Sequence, residues 1–115
     1  SYNQGEEQEH LNNVEGARLR ITGLRSPPGP GVELLEYLAP TDGRPYPADA
    51  RPNDLLHWET TIAVTRLDAV LARLDSAGVP RLSRAPAMLG ARNLGLGDGV
   101  LVQDPDGHVV RLIDR

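Results

Sequence analysis

The stretch Asp54–Val79, DLLHWETTIAVTRLDAVLARLDSAGV, decides the fold of this chain. Its pattern predicts a strand over Leu55–Val64, then a sharp turn and an amphipathic helix that stops at Gly78, because glycine readily adopts a left-handed conformation. Neither a strand nor a helix with one apolar face can bury itself alone, so the rest of the chain must supply partners for both. The helix places its apolar residues at helical spacing, in a stripe predicted to be buried: Leu67, Val70, Leu71 and Leu74.

The two faces of the predicted strand differ in polarity, because successive side chains of a strand point to opposite faces. The mostly apolar face is predicted to meet the helix layer and consists of Leu56, Trp58, Thr60, Ile62 and Val64. The other face is polar for a strand. It carries His57 and Glu59, and it is predicted to line a wet surface. Thr65 is predicted to cap the helix, with Asp68 completing a capping-box-like pair.

The chain before this stretch is predicted to contain two strands. Residues 1–16 are polar and rich in glutamate, and they are expected to form a polar N-terminal arm. Alternation predicts a half-buried strand over Gly16–Leu24 and another over Val32–Leu38, joined by the loop SPPGPG as an antiparallel hairpin. Ala39–Asn53 holds four prolines and no periodicity. This composition indicates a proline-stiffened connection between two halves of the chain.

Further strands are predicted after the helix. Val79–Ser83 reads as a short strand, and at least one of Arg92–Gly97 and Gly99–Gln103 reads as another. Asp104–Gly107, DPDG, is a strong signal for a tight turn. The last predicted strand is Val109–Ile113, VVRLI. The second half of the chain therefore has the predicted order strand, helix, strand, strand, strand.

Composition excludes several classes of protein. The 115 residues, 39% hydrophobic and 24% charged, fit a single soluble domain. A net charge of −4 argues against a nucleic-acid surface, which would need a basic stripe. The lack of cysteine excludes disulfides, thiolate nucleophiles and cysteine-based zinc sites. No run approaches the roughly 20 apolar residues of a membrane span, and no signal peptide is visible. A cytoplasmic protein with no membrane partner is therefore expected.

Three segments taken together resemble the vicinal oxygen chelate superfamily, which includes glyoxalases, bleomycin resistance proteins and extradiol dioxygenases. They are HWETTIAV at 57–64, LDAVLARLDSAGV at 67–79 and VQDPDGHVVRLID at 102–114. The DPDG turn before the last strand is the most recognisable of these signatures. In addition, GVELLEYLAP at 31–40 is similar to the last strand of a preceding module. The resemblance implies an α+β fold built from βαβββ modules, whose curved mixed sheet forms a cup.

The resemblance also implies a division of the chain. Residues 17–115 would form a single glyoxalase-like domain, in which 17–38 are the remaining strands of a first module. Residues 39–53 would be a linker, and 54–115 a second, complete βαβββ module. No pattern for the first strand and helix of the first module is visible. Because a cup needs both modules and unpaired sheet edges are a liability, a homodimer is expected to complete it.

Site residues follow from the same resemblance. Metal-binding members of the superfamily hold a divalent ion at four strand positions, and two of these correspond to Glu33 and His57. A third position, where a carboxylate is expected, holds Arg111. Glu59 shares a face with His57, so it is a candidate catalytic general base or substitute ligand. Arg111 is a candidate substrate-binding residue for an anionic group, or a charge partner of Glu33.

Two functions remain open at this point. The first is a lyase, isomerase or dioxygenase that uses a divalent metal ion and acts on a small oxygenated molecule. The sequence does not distinguish Fe, Mn, Zn, Ni, Co and Mg as that ion. The second is a metal-free protein that binds or sequesters a small molecule, as bleomycin resistance proteins do. Both need a small-molecule ligand in the sheet-lined cup.

Overall fold

A computed structural model describes residues 1–90 and 97–115 of the chain. The chain divides into two compact units, Ser1–Arg44 and Pro45–Arg115. Their elements together make an α+β fold with two helices and two sheets among the described residues, as predicted. Neither of these helices is long and apolar enough to cross a membrane.

The first unit is a three-stranded antiparallel sheet in the order β1-β2-β3. Its strands are β1 (Tyr2–Gln4), β2 (Arg18–Leu24) and β3 (Val32–Ala39). The helix α1 (Glu6–Asn12) comes between β1 and β2 in the sequence. The pairing of β2 with β3 confirms the predicted hairpin.

The N-terminal residues, for which the sequence predicts a polar arm, contain both β1 and α1. The amino group of Ser1 donates a hydrogen bond to the carbonyl of Ile21, and the Ile21 amide donates one to the Ser1 carbonyl, each at 2.8 Å. Such a ladder uses backbone groups alone, so the polar side chains of this segment carry no signal of it.

The second unit has the predicted order strand, helix, strand, strand, strand, but its first strand after the helix is Ala87–Met88 and not Val79–Ser83. Its sheet runs β4-β7-β6-β5, with β4 parallel to β7 and the other pairs antiparallel. Of the two segments of which at least one was predicted to be a strand, Gly99–Gln103 is confirmed, and 92–97 falls, apart from its last residue, outside the described residues. The elements of the unit are β4 (Glu59–Val64), α2 (Leu67–Ser76), β5 (Ala87–Met88), β6 (Asp98–Gln103) and β7 (Val109–Asp114).

The strand predicted at Val79–Ser83 is reduced to a bridge between Arg81 and Val102. The amides of Leu82 and Ser83 both donate to the carbonyl of Leu101, and the Gln103 amide donates to the carbonyl of Pro80, so this segment follows β6 over a short stretch. The Arg81 guanidinium is instead engaged by Asp75 of α2, at 2.7 Å from Nε to Oδ1.

The core of the second unit lies between α2 and one face of the sheet. The predicted helical stripe is confirmed: Leu67 and Leu71 are buried, and Val70 and Leu74 pack beside them. Burying each such side chain contributes about 1.5–3 kcal/mol. The partners on the strands are Val64, Val100, Val102, Val110 and Leu112.

The predicted apolar face of β4 is only partly buried. Val64 packs against the core, but Leu56, Trp58 and Ile62 are 44%, 55% and 44% exposed, so the prediction is wrong for these three residues. The reason is the sheet order: β4 is an edge strand, whereas the buried core is built on its neighbours β6 and β7. The strand also begins later than predicted, because residues 51–57 form turns.

The start of α2 is capped from a distant strand. Arg66 holds the cap position with a left-handed φ of 58° and makes no side-chain capping bond. The Leu67 amide instead donates to Oδ1 of Asp114, at 3.1 Å. The predicted cap by Thr65 is therefore wrong, because β4 and β7 end together and bring the Asp114 carboxylate to the helix. The helix is followed by Gly78 with a left-handed φ of 71°, as predicted.

The cap predicts unequal effects for two substitutions. Asp114→Ala should lower the free energy of unfolding by about 1 kcal/mol, because it removes the acceptor of a helix N-terminal amide. Thr65→Ala should leave it within about 0.5 kcal/mol of the wild type. Urea denaturation followed by circular dichroism measures both. An Asp114→Ala variant as stable as Thr65→Ala would contradict the assignment.

Candidate functional site

Three charged or polar side chains meet on the sheet face that α2 does not cover, here called the polar face. The parallel register sets Glu59 opposite Val109 and Thr61 opposite Arg111. The Arg111 guanidinium forms an ion pair with Oε1 of Glu59. The other carboxylate oxygen, Oε2, lies 4.0 Å from Nε2 of His57. Glu59 therefore stands between a fixed cation and an imidazole, and the predicted association of Glu59 with His57 is present.

Exposure of these side chains increases from His57 to Arg111. The side chains of His57 and Glu59 are 15% and 21% exposed, whereas that of Arg111 is 40% exposed. An ion pair at this depth contributes little to stability, because solvent screens it. Its main effect is local: the guanidinium neutralises the carboxylate that the polar face would otherwise present.

Glu33, the other predicted metal ligand, belongs to the first unit. It lies in β3 opposite Gly23 of β2, and its side chain is exposed. Within the second unit, Arg111 has Glu59 as its ion-pair partner. The role of Glu33 as a metal ligand stays a prediction.

A divalent metal does not fit the donors on the polar face. In the part of the chain that the structure describes, no group of three or more histidine and carboxylate side chains could hold an ion. His57 and Glu59 provide two donor side chains, fewer than the three or four protein ligands of ordinary zinc sites. Arg111 also occupies one oxygen of Glu59, and its positive charge repels a cation.

A cavity of about 600 Å³ lies next to His57. One wall is the segment 45–52, here called the proline segment, and another is the turn 104–107. Pro80, Leu82 and Val109 add apolar surface. Pockets of this volume commonly bind small molecules, with apolar walls and a few polar groups that orient the ligand.

A contact between Tyr46 and Gly107 holds the proline segment against the turn. Gly107 has a φ of 94°, and a Cβ atom built there would stand 2.5 Å from Cγ of Tyr46. The tyrosine ring thus rests directly on the glycine backbone. The sequence predicts only a proline-stiffened connection for this segment. The alternation of proline with other residues does not predict that the segment lines a cavity.

The DPDG turn is confirmed, and Asp104 organises it. Its Oδ1 accepts hydrogen bonds from the amides of Asp106 and His108, at 3.0 and 2.8 Å. Its Oδ2 lies 3.0 Å from Nδ1 of His108. Burial raises the pKa of Asp104, but the hydrogen bonds from the His108 side chain and from the backbone amides outweigh burial and leave that pKa lowered. The turn is therefore strongest when Asp104 is ionised.

His108 links this turn to the residues that precede β4. Its ring centroid lies 5.3 Å from that of Trp58, with an angle of 48° between the ring planes. Trp58 follows His57 directly in the chain. The imidazole of His108 thus has a carboxylate on one side and an indole on the other, a contact that sequence reasoning missed. The four-residue spacing from Asp104 to His108 was the available signal.

Comparison with known proteins supports the fold. A crystal structure of a glyoxalase family protein from Bacillus cereus superposes with a TM-score of 0.76 at 19% sequence identity. The match covers 99% of this chain and 73% of that one. No protein-family model matches the sequence, and neither does any curated protein. The chain thus has a glyoxalase-type fold, as the resemblance of its motifs to the vicinal oxygen chelate superfamily implies.

The contact beneath Tyr46 predicts a large effect of one methyl group. Gly107→Ala should lower the free energy of unfolding by more than about 1 kcal/mol, because it adds a left-handed alanine and displaces the tyrosine ring. Gly29→Ala is the matched control, since Gly29 has a φ of 111° and open space around its Cβ position. In a Tyr46→Ala background, Gly107→Ala should cost no more than Gly29→Ala. Urea denaturation tests all four variants, and equal costs of Gly107→Ala in both backgrounds would refute the contact.

The lowered pKa of Asp104 predicts a pH-dependent stability. Asp104→Ala should reduce the free energy of unfolding by about 1–2 kcal/mol at pH 7, because two amides lose their acceptor. The contribution of ionised Asp104 is complete above its usual pKa of 3.8 and is lost as the pH falls through the lower value in the folded protein. The difference between wild type and variant should therefore shrink below about pH 4. Asp106→Ala, which removes an exposed carboxylate from the same turn, is the control. A difference that is unchanged down to pH 2 would contradict the assignment.

Proposed function

Because the chain has a glyoxalase-type fold, we propose that its second unit binds a small oxygenated molecule beside His57, and does so without a divalent metal ion. The ion pair between Arg111 and Glu59 carries this proposal. The resemblance implies a carboxylate ligand at the position of Arg111 in a metal site. Here that position holds a guanidinium, which neutralises the carboxylate of Glu59. The fixed charge on this face belongs to the protein, and no cation is needed to balance it.

Each residue of the polar face has a role in this proposal. His57 borders the cavity, so its imidazole is the group that hydrogen-bonds the oxygen of the ligand. Glu59 lies within 4.0 Å of His57 and orients that ring. Arg111 holds Glu59 in place through its ion pair, which makes it a positioning residue rather than the direct binder of a substrate anion.

Metal analysis separates this proposal from a metal-dependent lyase, isomerase or dioxygenase. Protein stripped with a chelator is loaded in turn with Fe, Mn, Zn, Ni, Co and Mg, passed through a desalting column and analysed for bound metal. We expect substoichiometric metal in every case. One equivalent of any of these ions, lost in His57→Ala and retained in the exposed control His10→Ala, would overturn the metal-free proposal and favour the enzyme.

Ligand binding is tested separately with two small oxygenated probes, lactate and glycolaldehyde. Titration at pH 7 should shift the imidazole resonances of His57, which are assigned by their loss in His57→Ala. His10 serves as the internal reference and should not shift. A His57 signal that is unmoved by both probes, and by the aromatic probes described below, would refute binding at this site.

A further inference from the structure

The cavity beside His57 contains an arginine that none of the ion pairs on the polar face uses. Arg51 belongs to the proline segment and lines the cavity. Its backbone amide donates to Oδ2 of Asp54 at 2.7 Å. Among the described residues, no carboxylate within ion-pair distance engages its guanidinium, in contrast to Arg111 and Arg81. Arg111, the candidate from the sequence for binding an anionic ligand, is thus neutralised by Glu59. Arg51 is the arginine that could pair with such a ligand instead.

The two acidic residues that line the cavity, Asp104 and Asp106, differ in the contacts that their carboxylates make. Both belong to the turn 104–107, not to the segment that carries Arg51. Asp104 uses both of its oxygens within the turn, on two amides and on the ring of His108. Asp106 is exposed, and its backbone amide is bound by Asp104. Of the two carboxylates, Asp106 is therefore the one that would compete with an anionic ligand for Arg51.

The walls of the cavity indicate what the rest of the ligand is like. The cavity of about 600 Å³ is much larger than a carboxylate group, and rigid apolar rings are among the groups that line it. Tyr46, seated on Gly107, holds these walls together. An apolar body packed against them would gain hydrophobic contact, while its charged end reaches Arg51. The rings belong to Pro45, Pro47, Pro52, Pro80 and Pro105.

We propose that Arg51 determines specificity in this cavity and selects a small carboxylic acid with a compact apolar body. The planar guanidinium pairs with a carboxylate through two parallel hydrogen bonds. The body of the acid lies among the proline rings, and one carboxylate oxygen also accepts a hydrogen bond from His57 on the sheet side. This inference rests on the proposed function, because it names the class of oxygenated molecule that would bind beside His57.

The test compares an acid with its neutral isostere. Benzoate and benzamide have the same shape, and only benzoate carries a negative charge at pH 7. Binding of each is measured by calorimetry and by the shift of the His57 imidazole resonances. Wild type should prefer benzoate, and Arg51→Gln should weaken benzoate binding at least about ten-fold while leaving benzamide unchanged. Arg73→Gln, at an exposed arginine of α2, should change neither.

A second substitution tests the sign of the electrostatic effect. Asp106→Asn removes the uncommitted carboxylate from the cavity and should tighten benzoate binding about two- to three-fold. It should not affect benzamide.

The outcomes distinguish this inference from the proposed function. If lactate or glycolaldehyde shifts His57 but Arg51→Gln binds benzoate as well as wild type does, the role of Arg51 is refuted and the proposed function stands. Equal binding of benzoate and benzamide by the wild type likewise refutes the role of Arg51 and leaves the proposed function standing. If no probe shifts His57 in correctly folded protein, both proposals fail.

Discussion

The parallel pairing of β4 with β7 is the constraint on which the second unit depends. Its register sets Thr61 against Arg111 and Ile62 against Leu112, so the two strands have a common polar face and a common core face. A slip of one residue would exchange these faces in one strand and bury Arg111 beneath α2. The same pairing brings the ends of the two strands together, which places Asp114 at the first amide of α2. Core, helix cap and polar face therefore share one origin.

The ion pair between Glu59 and Arg111 determines the electrostatics of the polar face. A carboxylate with no cationic partner would, together with a neighbouring histidine, provide two donors that attract a metal cation. With Arg111 in contact, that carboxylate is compensated and His57 is the neighbour it can still orient. The pair is partly exposed and adds little stability, so its importance lies in the chemistry it permits.

The cavity depends on a long connection that has neither helix nor strand. The proline segment is stiff, because each proline ring fixes its own φ, and Tyr46 anchors it on Gly107. Glycine is needed there for two independent reasons, the left-handed φ and the close approach of the tyrosine ring. The turn 104–107 and the proline segment are thereby joined as walls of one cavity. Arg51 owes its place in the cavity to this segment and not to the sheet.

Local signals in the sequence were sufficient for several elements. The stripe of α2, the glycine after it and the DPDG turn each depend on residues within a few positions of one another, and the structure has all three. The family resemblance of these segments led to the α+β fold. His57 and Glu59 were placed together for the same reason, since residues two apart in an extended chain share a face.

Only the tertiary structure decided which partners these elements use. Asp114 caps a helix that begins 47 residues earlier, Glu59 takes Arg111 as its partner, and Tyr46 closes on Gly107. The exposure of Trp58 and Ile62 follows from the position of β4 at the sheet edge. Side-chain type and spacing predict the secondary structure of a segment and which of its residues share a face. Register and sheet order join residues far apart in the chain, and they decide that Arg111 neutralises the charge of Glu59 and that Asp114 caps α2.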